Sequence, residues 1–90
     1  MAEIKTEMKI SVAQAPRLEA QLKEALEGTS ENIVLNMEDT VYISSVGLRV
    51  LASAQKKINT TDRTMVLINV KPQILEIFEV TGFVGVLTIG

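Results

Sequence analysis

The sequence of 90 residues contains no cysteine, histidine or tryptophan. Without cysteine and histidine, a Ser-His triad, a thiol nucleophile, a disulfide and thiolate or imidazole metal ligands are all excluded. The phosphate-loop pattern G-x-x-x-x-G-K-[ST] is absent as well, so nothing in the sequence indicates nucleotide hydrolysis. Glu38 and Asp39 are adjacent carboxylates, but neighbouring side chains usually point apart, and no second cluster completes a metal site. These absences predict a binding or regulatory protein, not an enzyme, with no catalytic residue, cofactor or metal.

Aromatic residues and long apolar runs are also scarce. Only Tyr42, Phe78 and Phe83 could stack on bases, and the 9 basic and 11 acidic residues, with a net charge of −2, are scattered in both signs. A nucleic-acid partner is therefore not expected. No segment approaches the ~20 apolar residues of a membrane span, and the first residues are charged, unlike a signal peptide. We expect a cytoplasmic protein that binds neither nucleic acid nor membrane.

Hydrophobic periodicity predicts a single domain over 1–90 in which strands and helices alternate. Ile4, Thr6, Met8 and Ile10 alternate with charged residues, which is the pattern of an edge strand with one wet face. The predicted order is strand 3–10, a helix from Ala15-Pro16 to Gly28, strand 31–37, helix 46–58, strand 64–70, a short helix opened by Lys71-Pro72 and closed by Gly82, and a last strand or extended tail at 84–89. This alternation predicts an α/β fold with a mostly parallel four-stranded sheet covered by helices.

One hydrophobic core is expected around this sheet. Its predicted members are Leu18, Leu22, Leu26, Ile33, Leu35, Leu51, Ile58, Val66, Ile68, Ile74 and Phe78. Because the run at 64–70 is almost continuously apolar, the third strand is predicted to be fully buried. Truncating Leu35 or Val66 is expected to cost about 2–4 kcal/mol.

The joint between strand 31–37 and the following helix contains two serines and a glycine. A serine hydroxyl at a helix start can accept a hydrogen bond from an unpaired amide of the first turn. Gly47 lies within the helix, where glycine costs roughly 0.5–1 kcal/mol relative to alanine, so a close approach is expected there. Either another element of the fold or a foreign group such as phosphate could make that approach.

Three stretches of the chain resemble one known family. They are the apolar strand Ile33-Val34-Leu35-Asn36, the segment Tyr42-Ile43-Ser44-Ser45-Val46-Gly47-Leu48-Arg49-Val50-Leu51, and Val80-Thr81-Gly82-Phe83. An apolar strand ending in Asp or Asn, followed by approximately [YF]-[IM]-[DS]-S-[STAV]-G-L, resembles the STAS domain. The similarity is greatest to its free-standing bacterial anti-sigma factor antagonists, and it extends from about Met8 to the C-terminus.

This resemblance implies a phosphorylation switch. In the family, an anti-sigma factor that is also a serine kinase phosphorylates the loop serine, only the unphosphorylated antagonist binds it and frees sigma, and a phosphatase resets the switch. The corresponding serine here is Ser45, while Ser44 stands where many members have Asp. The resemblance implies a partner-binding site formed by Asp39, Tyr42, Ser44, Ser45, Val46, Gly47 and Arg49.

The N-terminal part departs from the family pattern. Family members commonly place an additional strand before the one predicted at 3–10, and their glycine and aspartate ahead of the first helix are replaced here by Met8 and Ser11. These departures could expose a sheet edge, alter partner binding or favour a homodimer.

Two alternative functions fit the same resemblance. The chain could be a constitutive adaptor, such as the small STAS-like subunit of a lipid-transport complex, in which Ser45 would stay unmodified. It could also bind a nucleotide at the same helix end, which would appear as nucleotide-dependent thermal stabilisation.

Overall fold

The computed structural model describes residues 2–90, in which every strand pair runs parallel. The elements in chain order are β1 (Ala2–Lys5), β2 (Lys9–Ile10), α1 (Ala15–Gly28), β3 (Ile33–Asn36), β4 (Tyr42–Ile43), α2 (Ser45–Ile58), β5 (Met65–Ile68), α3 (Pro72–Val80) and a 3-10 helix at Phe83–Gly85. Strands β1, β3 and β5 form the main sheet in the order β1-β3-β5, and β2 and β4 form a separate two-stranded ladder. The α/β prediction is confirmed, although the parallel strands divide into a group of three and a group of two.

The edge strand expected at 3–10 is broken in the structure. Between β1 and β2 the Thr6 side chain is buried, and its hydroxyl lies 2.5 Å from that of Thr40. Thr40 Oγ1 also donates a hydrogen bond of 2.7 Å to the Glu7 carbonyl. The Thr6 amide still donates to the Asn36 carbonyl at the end of β3, at 3.0 Å. Beyond Thr6 the chain leaves β3, and Lys9 and Ile10 pair with Tyr42 and Ile43 instead. The alternating pattern gave no sign of this break. The pattern also placed Met8 on the dry face of the strand, which was wrong because the Met8 side chain is exposed.

The three helices begin and end close to the positions predicted. Pro16 and Pro72 occupy first turns, where a missing amide costs nothing. Gly82 adopts φ +80°, the left-handed conformation expected after α3. The last predicted strand is reduced to one bridge between Leu67 and Ile89.

The core lies against one face of the main sheet. Predicted core residues confirmed as buried are Leu18, Leu22, Ile33, Leu35, Leu51, Ile58, Ile74 and Phe78. The prediction was wrong for Val66 and Ile68, because β5 alternates: Met65 and Leu67 are fully buried, whereas Val66 and Ile68 lie half-buried on the other face. Leu26, near the end of α1, is also only half-buried. A continuous apolar run therefore does not mean equal burial on both faces of the strand.

Candidate functional site

Ser44 is the N-cap of α2 and is held by three hydrogen bonds. Its hydroxyl accepts from the Gly47 amide at 3.2 Å, and its backbone carbonyl accepts from the Leu48 amide at 2.9 Å. The Ser44 amide donates to the Ile10 carbonyl at 2.9 Å, which ties the start of α2 to β2. Capping at the joint, expected from the sequence, is therefore performed by Ser44, which fixes the first turn of the helix.

Gly47 lies where α2 comes close to the β2–β4 ladder. A Cβ atom built on this residue would lie 2.8 Å from Ile10 Cγ2, 2.9 Å from the Ile10 carbonyl oxygen and 2.9 Å from Ile43 Cγ1. The group that comes close is thus part of the same fold. Gly47 is buried and contributes to the site by letting the helix start pack against the ladder.

Ser45 is the first residue of α2 and its side chain is exposed. Within residues 2–90 its hydroxyl has no hydrogen-bond partner, in contrast to that of Ser44. The side chain lies beside the unpaired amides and positive dipole end of a 14-residue helix, where a negative charge is favoured. The Ser45 side chain is therefore accessible to a modifying enzyme, and within residues 2–90 it makes no hydrogen bond that stabilises the fold.

The other predicted site residues are buried to different extents. Tyr42 lies on β4 and is exposed, Val46 is half-buried and packs against the core, and Arg49 is exposed four positions after Ser45, on the same side of the helix. Asp39 is exposed in the loop before β4. Of the seven predicted partner-binding residues, only Gly47 is buried and unable to offer a side-chain contact.

Asn36 and Asn69 meet at the carboxyl ends of the two neighbouring strands β3 and β5. The Asn36 Oδ1 atom accepts hydrogen bonds from the Asn69 side-chain amide at 3.1 Å and from the Glu38 backbone amide at 3.2 Å. Asn69 has φ +56°, a left-handed conformation that asparagine tolerates better than most residues. The asparagine that ends the family's strand thus shapes the loop leading to the site.

Lys5 joins the end of β1 to the same loop. Its Nζ atom lies 2.9 Å from Glu38 Oε1 and 3.4 Å from Asp39 Oδ2. The hydrogen bond to Glu38, followed by the charge of Asp39, raises the pKa of Lys5 above its ordinary value. The charge of Asp39 is therefore partly balanced by that of Lys5. Within residues 2–90, no group of side chains is arranged to hold a metal ion.

Sequence reasoning identified Tyr42 but missed Thr40 and the other exposed apolar residues near the ladder, Met8, Val12 and Val41. Thr40 is fully buried and positions β4 through its contacts with Thr6 and Glu7. A threonine between a charged loop and a strand gave no signal of this role.

In the described part of the chain, none of the helices is both long and apolar enough to cross a membrane.

Comparison with known proteins defines the class to which this fold and site belong. The STAS domain model matches residues 3–90, and the chain belongs to the STAS domain family. It is 34% identical over 77 residues to BtrV of Bordetella bronchiseptica, which is assigned as an anti-sigma factor antagonist, covering 86% of this chain and 66% of that protein. It is 29% identical over 80 residues to the anti-sigma-B factor antagonist of Staphylococcus aureus, covering 89% of this chain and 74% of that one.

Solved structures share the fold. A Thermotoga maritima protein assigned as an anti-sigma factor antagonist matches with a TM-score of 0.83 and 17% identity, covering 97% of this chain and 77% of that one. Unphosphorylated SpoIIAA, an anti-sigma factor antagonist, matches with a TM-score of 0.74 and 13% identity, covering 98% and 76%. Phosphorylated SpoIIAA of Bacillus matches with a TM-score of 0.72 and 15% identity, covering 98% and 80%. The homologues and structural neighbours of this chain are thus anti-sigma factor antagonists.

Proposed function

We propose that this chain is an anti-sigma factor antagonist that binds an anti-sigma factor kinase while Ser45 is unphosphorylated and so releases a sigma factor. The observation that carries the proposal is the exposed hydroxyl of Ser45, which has no hydrogen-bond partner within residues 2–90, next to the hydrogen-bonded Ser44. In this role the protein acts in the cytoplasm as a regulator without catalysis of its own, and a phosphatase resets it. The names of its relatives support the class of partner.

The physical effect of phosphate would be local. Phosphorylation adds about −1.5 to −2 charges and three acceptor oxygens. The helix dipole accommodates this charge in the free protein, because it lies at the N-terminus of α2. In a complex, the same charge has to be desolvated against the partner, which costs enough to lower the affinity by about a hundredfold or more.

Arg49 is our candidate to pair with the phosphate. It lies four positions after Ser45 on the same helix face and has no ion pair within residues 2–90. Arg49 would hold the phosphate against the helix and be withdrawn from any contact with the partner.

The test uses the purified anti-sigma factor kinases of the source bacterium. Incubation with ATP followed by mass spectrometry is expected to place phosphate on Ser45. Calorimetry is expected to show that Ser45→Ala binds like wild type and that Ser45→Asp binds at least about tenfold more weakly. Ser53→Asp, which adds the same charge at an exposed serine further along α2, is the matched control and is expected to bind like wild type.

Equal affinity of wild type and Ser45→Asp for the anti-sigma factor would refute the switch and favour a constitutive adaptor. Phosphate found only on Ser44 would move the switch by one residue.

A further inference from the structure

Large hydrophobic side chains are exposed mainly in two places on the surface. Four of the seven exposed ones among residues 2–90 come from the segments joined by the β2–β4 ladder: Met8 (62% exposed), Val12 (67%), Val41 (42%) and Tyr42 (47%). The other three, Val80, Val84 and Val86, lie on or after α3. Scattered exposed apolar residues need no explanation, but here one lies on a two-residue ladder and three lie within two residues of its strands.

The ladder connects the segments that carry these four residues to the helix start that carries Ser45. The Val41 amide donates to the Met8 carbonyl at 2.8 Å, so the two residues lie side by side. Tyr42 is paired with Lys9 across the ladder, and Val12 follows β2 by two positions. The next hydrogen bond of the same ladder, from the Ser44 amide to the Ile10 carbonyl, leads directly to the N-cap of α2.

The two segments that carry these residues contain charges of one sign only. Segments 8–12 and 41–49 contain Lys9 and Arg49 and no acidic residue, whereas the whole chain has a net charge of −2. The nearest carboxylates along the chain are already engaged, since Glu7 pairs with Arg17 at 2.8 Å and Asp39 pairs with Lys5 at 3.4 Å. Lys9 and Arg49 have no ion pair within residues 2–90.

We propose that Met8, Val12, Val41 and Tyr42, flanked by Lys9 and Arg49, form a docking surface for an apolar, acid-rimmed patch on the anti-sigma factor. We call this set the ladder surface. The inference rests on the proposed function and specifies the chemistry of the partner. Apolar contacts supply the buried centre of such an interface, and the two cations select and steer an acidic rim.

The ladder surface also gives the phosphate a second effect. A dianionic phosphate on Ser45 cancels the charge of Lys9 and Arg49, so that the surface loses its attraction for acidic groups. Phosphorylation thereby weakens the attraction between the ladder surface and an acidic partner, while the apolar side chains of the surface stay exposed.

The experiment measures the affinity and association rate of the same purified anti-sigma factor for variants away from the phosphorylation site. Met8→Ser combined with Val12→Ser is expected to weaken binding at least about tenfold, because both side chains would be covered in the complex. Lys9→Glu is expected to lower the association rate about tenfold and to reduce its dependence on salt. Thermal unfolding of each variant verifies that the fold is intact.

Two matched controls separate this surface from general effects. Val80→Ser removes an apolar side chain that is 80% exposed on α3, and Lys23→Glu reverses an exposed charge on α1. Both controls are expected to bind within about twofold of wild type. If either control weakens binding as much as its counterpart on the ladder surface, the assignment of the surface is wrong.

The outcomes also distinguish this inference from the proposed function. If Ser45→Asp weakens binding but the double variant and Lys9→Glu bind like wild type, the ladder surface is refuted while the switch stands. If wild type binds none of the anti-sigma factors, the proposed function and this inference both fall.

Discussion

Ser44 and Ser45 are neighbours in the chain, but only the Ser44 hydroxyl accepts a bond from the helix, at 3.2 Å from the Gly47 amide. Ser44→Ala is therefore expected to lower the free energy of unfolding by about 1 kcal/mol, the usual cost of losing an N-cap. Ser45→Ala is expected to change it by less than about 0.5 kcal/mol, as for other exposed sites. Urea denaturation measures both. A larger loss for Ser45→Ala than for Ser44→Ala would show that the capping roles are reversed.

Gly47 allows a second prediction for a single residue. Alanine there would gain up to about 1 kcal/mol of helix propensity, but its Cβ would lie 2.9 Å from a backbone carbonyl that cannot move away cheaply. Gly47→Ala is expected to destabilise the protein by about 1–3 kcal/mol, because overpacking outweighs propensity. Gly28→Ala, at the end of α1 with nothing within 4 Å of its Cβ, is the control and should be neutral or slightly stabilising. A stabilised Gly47→Ala variant would mean that the ladder can shift.

Gly47 and Ser44 also show how much of the site could be predicted from the sequence. A glycine inside a helical pattern correctly predicted a close approach, because glycine is costly there. The sequence does not reveal which group approaches, because Ile10 is 37 positions away from Gly47. The Ile10 carbonyl lies close to Gly47 because β2 pairs with β4, the strand just before α2. Likewise, two adjacent serines have equal capping propensity, and only the backbone conformation of Ser44, with ψ 170°, decides between them.

At the scale of elements, β5 distinguishes a buried face from a half-buried one. Leu67 is fully buried, and Leu67→Ala is expected to cost about 2–5 kcal/mol. Val66 points to the other face, so Val66→Ala is expected to cost about 1 kcal/mol, less than the value predicted from its sequence. Chemical denaturation of the two variants provides the measurement. Equal losses would place both faces of the strand in the core.

Helices were predictable because each has its own start and stop signals. Pro16, Pro72 and Gly82 determine local backbone geometry whatever the remainder of the chain does. The break between β1 and β2 was not predictable, since it depends on Thr40, which is 34 positions from Thr6. The final stretch shortened to one bridge for a similar reason: the Thr88 amide bonds to the Gln55 side chain at 3.1 Å, not to a strand.

At the scale of the whole molecule, the charge added at Ser45 is expected to leave the fold unchanged. Ser45→Asp places one negative charge at the N-terminus of α2, where the dipole favours it, so the unfolding midpoint in urea should match wild type. Amide NMR shifts should change in the first turn of α2 and in the β2–β4 ladder, while those of β5 and α3 stay in place. Widespread shifts would indicate a conformational switch rather than a change confined to the surface.

The hydrogen bonds of Ser44 bear on where the coupling of the proposed switch arises. Ser44 is tied to Ile10, Gly47 and Leu48, so we expect the site of the free protein to keep this arrangement when Ser45 carries phosphate. The whole coupling between phosphate and partner then resides in the complex. Linkage requires the coupling to be reciprocal: the factor by which phosphate weakens the complex equals the factor by which complex formation lowers the equilibrium ratio of phosphoserine to serine at position 45. At equilibrium, partner binding thus favours the unphosphorylated form of the antagonist, which is the form that binds.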